Sequence, residues 1–368
     1  MEEKIIQQIT MNQQDMINGI KKIVAMPSVK TKATTHAPFG EDILNTLQET
    51  LKLAEHLGFQ TKNLDNYIGW AQYGEGDEYV GIIGHLDVVP VGVGWKYPPF
   101  SAHEEDGYIY SRGILDNKGP ILSCLYALYA IKQLHISLKR PVRIIFGCDE
   151  ESGFEDLEYY LKKEKPPVMG WTPDCKYPVV YGERGRAVIE IVAHMNQLDE
   201  FLEFINTYFM NAKLNGERLG VDYKDEEFGV NEMRNYHWKH QGDYISFSVT
   251  FSYPANITLE QLVKQIENKA SQFEVKCVQH YKPVRFKKDC PMVLALQKAY
   301  EMITNLDGTP VTTTGGTYAK LMPNIVPFGP SFPGQKGIGH QPNEWMTIED
   351  LMTNAKIYGI GIYMLANL

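Results

Sequence analysis

Short apolar runs that end in glycine- or acid-rich loops alternate with amphipathic stretches along most of this chain. Residues 5–26 carry apolar positions at helical spacing and stop before Pro27, and Gly40 opens a second amphipathic helix reaching about His56 and ended by Gly58. Residues 59–73 read as short strands, followed by the turn Gly74-Glu-Gly-Asp. Residues 79–84, Tyr-Val-Gly-Ile-Ile-Gly, are apolar and β-branched, which predicts a buried strand. Residues 91–100 form a Gly/Pro-rich aromatic loop, and Asp106-Gly107 predicts a hairpin. Residues 121–134 are apolar nearly all round, as a buried helix requires, and 142–147 repeat the buried-strand pattern before running into Asp149-Glu150-Glu151. Such alternation predicts an α/β fold with a mixed sheet and helices on both faces.

The pattern changes near Arg186. Residues 187–193, 244–251 and 273–279 read as strands and 198–210 and 259–270 as helices, a β-α-β-α-β segment of roughly 100 residues, which suits a separate domain. The larger pattern then resumes with a helix over 292–303, the loop Thr312-Thr-Thr-Gly-Gly-Thr317, a strand over 324–328, a Gly/Pro loop containing His340, and a final helix over 348–365. The predicted division is therefore a catalytic, metal-binding domain of residues 1–185 and 283–368 with an inserted domain of 186–282.

Composition narrows the setting. The net charge of −9 argues against nucleic acid or an anionic membrane as the partner. No stretch approaches the roughly 18 apolar residues that span a bilayer, and the first residues lack a signal-peptide core. Five scattered cysteines without a Cys-x-x-Cys pair fit a reducing compartment and no sulfur-bound metal, so the expected location is the cytoplasm.

The chemistry is expected where strands end, since open α/β sheets bind ligands at their carboxyl edge. His85 and Asp87 follow the strand over 79–84, from where His85 can face a metal while Asp87 fixes its tautomer from behind. Downstream, Asp116, Glu151, Asp174 and His340 lie in loops that follow apolar strands or open helices. Taken singly each has a plainer reading: an acidic surface turn at Glu150-Glu151, a helix cap at Asp116, turn chemistry at Asp174, a surface imidazole at His340. Together, imidazole and carboxylate donors suit borderline divalent metals, and two cations about 3.5–4 Å apart need a bridging carboxylate, for which Asp116 is the candidate. Glu150 is then the candidate general base.

The motifs Gly84-His-Leu-Asp-Val-Val-Pro, Arg112-Gly-Ile-Leu-Asp-Asn-Lys-Gly-Pro, Asp149-Glu-Glu-Ser-Gly, Thr172-Pro-Asp-Cys-Lys-Tyr-Pro, Gly315-Gly-Thr-Tyr and His340-Gln-Pro-Asn-Glu follow one another in an order that resembles the M20 family of metallopeptidases, and within it the PepV-like dipeptidase branch. The resemblance covers nearly the whole chain. It implies a zinc-peptidase-like catalytic domain, an inserted ferredoxin-like lid and two zinc ions, with cobalt or manganese as alternatives. One metal would take His85 and Asp174 and the other Glu151 and His340, with Asp116 between them. Glu150 would be the base, Asp87 would orient His85, and Gly315, Gly316 and Thr317 would offer donors to a dipeptide or N-acyl amino acid.

The inserted domain departs from that branch. There the lid is doubled and supplies a histidine for the oxyanion; here 187–194 runs almost directly into the helix at 198, as if half the lid were absent, and no equivalent histidine motif follows. Where the branch has an arginine for the substrate carboxylate, two residues before a lid proline, this chain has Ser252. Loss of one oxyanion donor costs roughly 3–4 kcal/mol of barrier. Three outcomes follow: a different substrate that needs no such clamp; a homodimer rather than a monomer, in which His237 or His240 of a second subunit completes the site; or a metal-binding homologue without activity. Arg184 and Arg186 are further candidates for holding a carboxylate.

Overall fold

The computed structural model describes all residues, Met1–Leu368, and divides into two compact units. The first comprises Met1–Val180, Lys287–Pro310 and Thr317–Leu368; the second comprises Tyr181–Phe286 and Val311–Gly316. The predicted insertion of 186–282 thus gains a few residues at each end. The loop 311–316, which the chain pattern left with the larger domain, belongs to the second unit, tied there by Arg184 N–H to Thr313 O and Thr312 Oγ1 to Glu227 O.

The first unit is built on a six-stranded mixed sheet in the order Gln60–Leu64, Ile68–Tyr73, Val142–Gly147, Val80–His85, Met169–Thr172, Ile325–Pro327. The last four run parallel and the first two are antiparallel to their neighbours. Strands Val80–His85 and Val142–Gly147 are buried along their whole length, which is why their sequences are unbroken apolar runs rather than alternating ones. Register puts Gly69 opposite Phe146 and Phe146 opposite Gly84, so these three share a face. Leu47 and Leu51 of helix Glu41–His56 and Ile121 of helix Lys118–Gln133 cover that face. On the other face Tyr160, from helix Glu155–Lys163, accepts a hydrogen bond from Arg143. The sheet is therefore sandwiched, as the alternating pattern implied. Helix Lys118–Gln133 is buried almost throughout, as is the terminal helix Ile348–Ala366, whose first turn is capped by the Thr347 hydroxyl accepting from Asp350 N–H.

Two elements differ from expectation. The first helix is two, Glu2–Met11 and Gln13–Val24, divided at Asn12, whose buried amide donates to Gln133 Oε1 at 2.7 Å. A short polar side chain that finds a partner outside the helix competes with helical continuation. In the second unit a fourth strand, Glu232–Gln241, forms one edge of the sheet. Its residues, Glu-Met-Arg-Asn-Tyr-His-Trp-Lys-His-Gln, are mostly polar and exposed, so it lacks the apolar period that marks a strand. With it the second unit reads β-α-β-β-α-β: strand Gly185–His194, helix Leu198–Ile205, strands Glu232–Gln241 and Tyr244–Tyr253, helix Leu259–Lys269, strand Glu274–Tyr281. Taken as strands one to four, these lie antiparallel in the order two-three-one-four, the ferredoxin-like arrangement. Ala187, Ile189, Ile191, Phe247, Val249 and Phe251 face its helices, which contribute Phe201, Phe204, Leu262 and Ile266. No helix of the chain is long and apolar enough to cross a membrane.

One buried acid secures the end of strand Val142–Gly147. Asp156 accepts backbone N–H groups of Cys148 (2.6 Å) and Asp149 (3.1 Å), and the Tyr318 hydroxyl donates to the same carboxylate. Burial raises its pKa from 3.8 to about 7, with the Tyr318 hydroxyl acting the other way.

Two predictions concern this framework. At Gly170 an added Cβ would stand 1.7 Å from the Gly81 carbonyl oxygen on the neighbouring strand. Gly170→Ala should therefore cost about 3 kcal/mol or more, read as a fall in chemical-denaturation midpoint. Asp156 holds a proton in the folded state that the unfolded chain has already released, so its contribution to stability is lost as pH rises from about 4 to about 7. Asp156→Asn should remove that dependence. Stability curves of the two proteins should then diverge in the variant's favour by roughly 3 kcal/mol between pH 4 and pH 8, and parallel curves would contradict the assignment.

Candidate metal centre

Strand Val80–His85 delivers His85, fully buried, to the carboxyl edge of the sheet. The strand can approach its neighbours closely there because residue 84 is glycine: a Cβ would lie 2.2 Å from Asn117 Oδ1. That Asn117 oxygen accepts from the His85 N–H, and the Asn117 amide donates to Pro173 O at 2.6 Å, so one side chain ties the His85 strand to the turn carrying Asp174. His85 Nδ1 faces the backbone oxygen of Asp87 at 2.8 Å, whereas the nearer Asp87 carboxylate oxygen is 3.5 Å away. Asp87 thus meets the ring through its carbonyl and, at longer range, through the side chain expected to orient it. The carboxylate also accepts N–H groups of Glu150 (3.2 Å) and Glu151 (3.1 Å).

His85 Nε2 is left facing Asp116 Oδ1 at 3.0 Å and Asp174 Oδ2 at 3.8 Å. The other Asp116 oxygen, Oδ2, lies 3.0 Å from His340 Nε2, which is also 2.8 Å from Glu151 Oε1. The five residues therefore form two triads, His85-Asp116-Asp174 and Asp116-Glu151-His340, with ligand atoms within 4.8 Å of one another in each. Asp116 is common to both and turns one oxygen to each.

Asp116 is held there by a residue the sequence reading did not single out. Glu344, fully buried, accepts through Oε1 the N–H groups of Gly113 (3.0 Å), Leu115 (2.9 Å) and Asp116 (3.1 Å), and through Oε2 a hydrogen bond from Arg112 at 2.7 Å. It stands four residues beyond His340 in His340-Gln-Pro-Asn-Glu, so an acid just past a Pro-Asn turn was the available signal. Burial, reinforced by the Asp116 charge, raises its pKa to about 7 despite Arg112.

Electrostatics show what the donor set suits. Burial followed by the Asp174 charge holds the Glu150 pKa well above its ordinary range; burial and Asp116 do the same to Asp174. Glu151 is raised by burial, against the hydrogen bond from His340. Burial also opposes ionisation of Asp116, but the contacts with His340 and His85 outweigh it and the group is lowered. His340 is pushed up to about 11 by Asp116 and Glu151. Carboxylates crowded this closely need positive charge, and neutral imidazoles with carboxylate oxygens are the donor set of a divalent cation. The residues fit a pair of such ions. Glu150, half-buried, stands beside them with its carboxylate in no ion pair.

Of the other candidates, Gly315 and Gly316 belong to the second unit, and Thr317 begins the return to the first, where its hydroxyl caps Tyr318–Lys320 by accepting from Ala319 N–H. Ser252 donates to Thr314 O at 3.3 Å, and Arg234 donates to the same oxygen at 3.0 Å. Arg184 is largely buried with Nε bonded to Phe228 O, an internal brace of the second unit rather than a free cation. Arg186 is exposed on strand Gly185–His194, opposite Ser252; His237 and His240 are exposed on the edge strand.

Comparison with known proteins agrees with this geometry. The chain is 28% identical to the Bacillus subtilis (strain 168) protein named "Putative dipeptidase YtjP", covering 98% of this chain and 99% of that one, and 25% identical to "Putative dipeptidase SH1171" of Staphylococcus haemolyticus, covering 95% and 97%. The first alignment runs over 460 residues against the 368 here, so the relative has chain with no counterpart in this protein. Among solved structures, human carnosine dipeptidase 1 superposes with a TM-score of 0.77 at 17% identity over 100% of this chain and 99% of that one. The Bacillus subtilis YXEP protein, described as a dinuclear metal binding peptidase, gives 0.66 at 14% identity over 97% and 99%. The model of Peptidase family M20/M25/M40 matches residues 81–360, the span from the His85 strand to the last helix, and this chain belongs to that family.

Proposed function

We propose that the protein is a two-metal dipeptidase. Its metal ligands are His85, Asp174, Glu151 and His340 with Asp116 as the bridge, and its general base is Glu150. The observation that carries this reading is the division of Asp116 between two imidazoles, one oxygen at 3.0 Å from each, beside an acid with no partner. Zinc suits the donors best, and cobalt or manganese would be accepted by the same set. When bound, the cations would polarise the amide carbonyl and lower the pKa of the attacking water. Glu150 takes the proton from that water and passes it to the leaving amine nitrogen. The Asp87 carboxylate, fixed on the N–H groups of residues 150 and 151, keeps base and ligand in register. Residues 315–317 would present donors to the substrate backbone.

The dipeptide assignment is supported by the names of the relatives above. The missing length, read as the half of the lid absent after residue 194, favours a small substrate whose carboxylate is held without the arginine replaced by Ser252. An N-acyl amino acid meets the same condition, and a mixed panel separates the two. The reading implies a protein working as monomer or homodimer on small substrates in the cytoplasm.

Two experiments test this site. Glu150→Ala should lower kcat on dipeptides by roughly 10²–10⁴-fold with metal content unchanged by elemental analysis. Turnover of none of the panel by fully metal-loaded protein would instead support a metal-binding homologue without activity. Glu344→Gln, by releasing the loop that positions Asp116, should weaken metal binding by roughly 10- to 100-fold in competition with a chromogenic chelator. Unchanged affinity would remove Glu344 from the support of the site.

A further inference from the structure

A cavity of about 310 Å³ opens within the first unit beside Asp116 and Asp174. Its floor is a short parallel ladder, Cys175–Lys176 against Pro330–Ser331, fastened by Tyr177 N–H to Ser331 O (2.8 Å) and Gly329 N–H to Lys176 O (3.1 Å). Part of its wall is Gln335, whose amide is already committed: Nε2 donates to Asp350 and Oε1 accepts from Phe332 N–H. Apart from the two metal-ligand acids, the charged groups lining the cavity are Lys176 and Lys336. Both are exposed, and neither ammonium has an ion-pair or hydrogen-bond partner. What sets these two apart is their place, beside the acids of the candidate metal centre. Asp116 and Asp174 offer these lysines no lasting counter-charge once they serve cations. The cavity thus joins the reacting centre to two unpaired positive charges, Lys176 on the ladder and Lys336 on the loop beside it.

We propose that this cavity receives the substrate side chain next to the scissile amide and selects an anionic one, so that Lys176 and Lys336 make the protein prefer glutamyl or aspartyl dipeptides. The inference rests on the hydrolytic reading above and adds to it the class of side chain. A carboxylate held by two ammonium groups at the edge of solvent favours the charged substrate over its neutral amide by roughly tenfold.

The test compares kcat/KM of the metal-loaded full-length protein on Glu-Ala, Gln-Ala and Lys-Ala, then on the C-terminal amides of the first two. The same set is run on Lys336→Glu and Lys176→Glu, exposed positions where thermal midpoints confirm folding. The expected results are a Glu-Ala to Gln-Ala ratio of about ten, kept in the amidated pair, and a shift towards Lys-Ala in the charge-reversed variants. Equal rates on Glu-Ala and Gln-Ala, or a ratio unmoved by either reversal, overturn the proposal while leaving the dipeptidase reading intact. A preference that disappears on amidation assigns the lysines to the terminal carboxylate and overturns the side-chain subsite. Hydrolysis of none of the peptides overturns both.

Discussion

Carboxylates repel one another, and the carboxyl edge of this sheet gathers Asp116, Glu150, Glu151 and Asp174 in one place. What makes the gathering possible is a set of three further acids, all buried, that bind backbone N–H groups and are not among the candidate metal ligands. Asp87 takes the N–H groups of residues 150 and 151, Asp156 those of 148 and 149, and Glu344 those of 113, 115 and 116. Each turns otherwise unsatisfied loop amides into a clamp. The loops carrying Asp116, Glu150 and Glu151 are therefore held before any cation arrives, and the repulsion among the ligands is available to attract one. Removing a clamp leaves both a loose loop and unpaired buried amides, a larger loss than any single surface contact.

This two-layer arrangement explains what could be read from the chain alone. His85, Asp116, Glu151, Asp174 and His340 stood out because each follows a strand or opens a helix, where an unpaired donor has a reason to be. The strands ending at His85 and Gly147 were legible because burial on both faces leaves an unbroken apolar run. The clamps were less legible. An acid that binds backbone N–H groups distant in sequence leaves no local trace, so nothing near Glu344 or Asp87 in the chain announces these contacts. The edge strand Glu232–Gln241 was hidden for a related reason: exposed positions need no apolar period, and its pairing with Tyr244–Tyr253 is a property of the sheet. The break at Asn12 was decided by Gln133, over a hundred residues away.

The second unit keeps a complete ferredoxin-like core although the chain is shorter than the relatives it aligns with. Its four strands and two helices close around Phe201, Phe204, Phe247 and Phe251, so the missing length was not taken from this core. Ser252 and Arg234 meet on the Thr314 carbonyl, which fastens the 311–316 segment to this unit and leaves that serine bound to the protein's own backbone.

The two imidazoles at the candidate centre differ in setting. His85 is sealed within the fold, its ring pinned by a backbone carbonyl, while His340 is half exposed on a glycine-rich loop, with a left-handed backbone at φ 61°. Both positions would nevertheless be reached from solvent, the His85 side through the cavity that Asp116 and Asp174 line and the His340 side past its own loop. Two cations held in this way would come and go by separate routes, and a change in one loop would alter one position without closing the other.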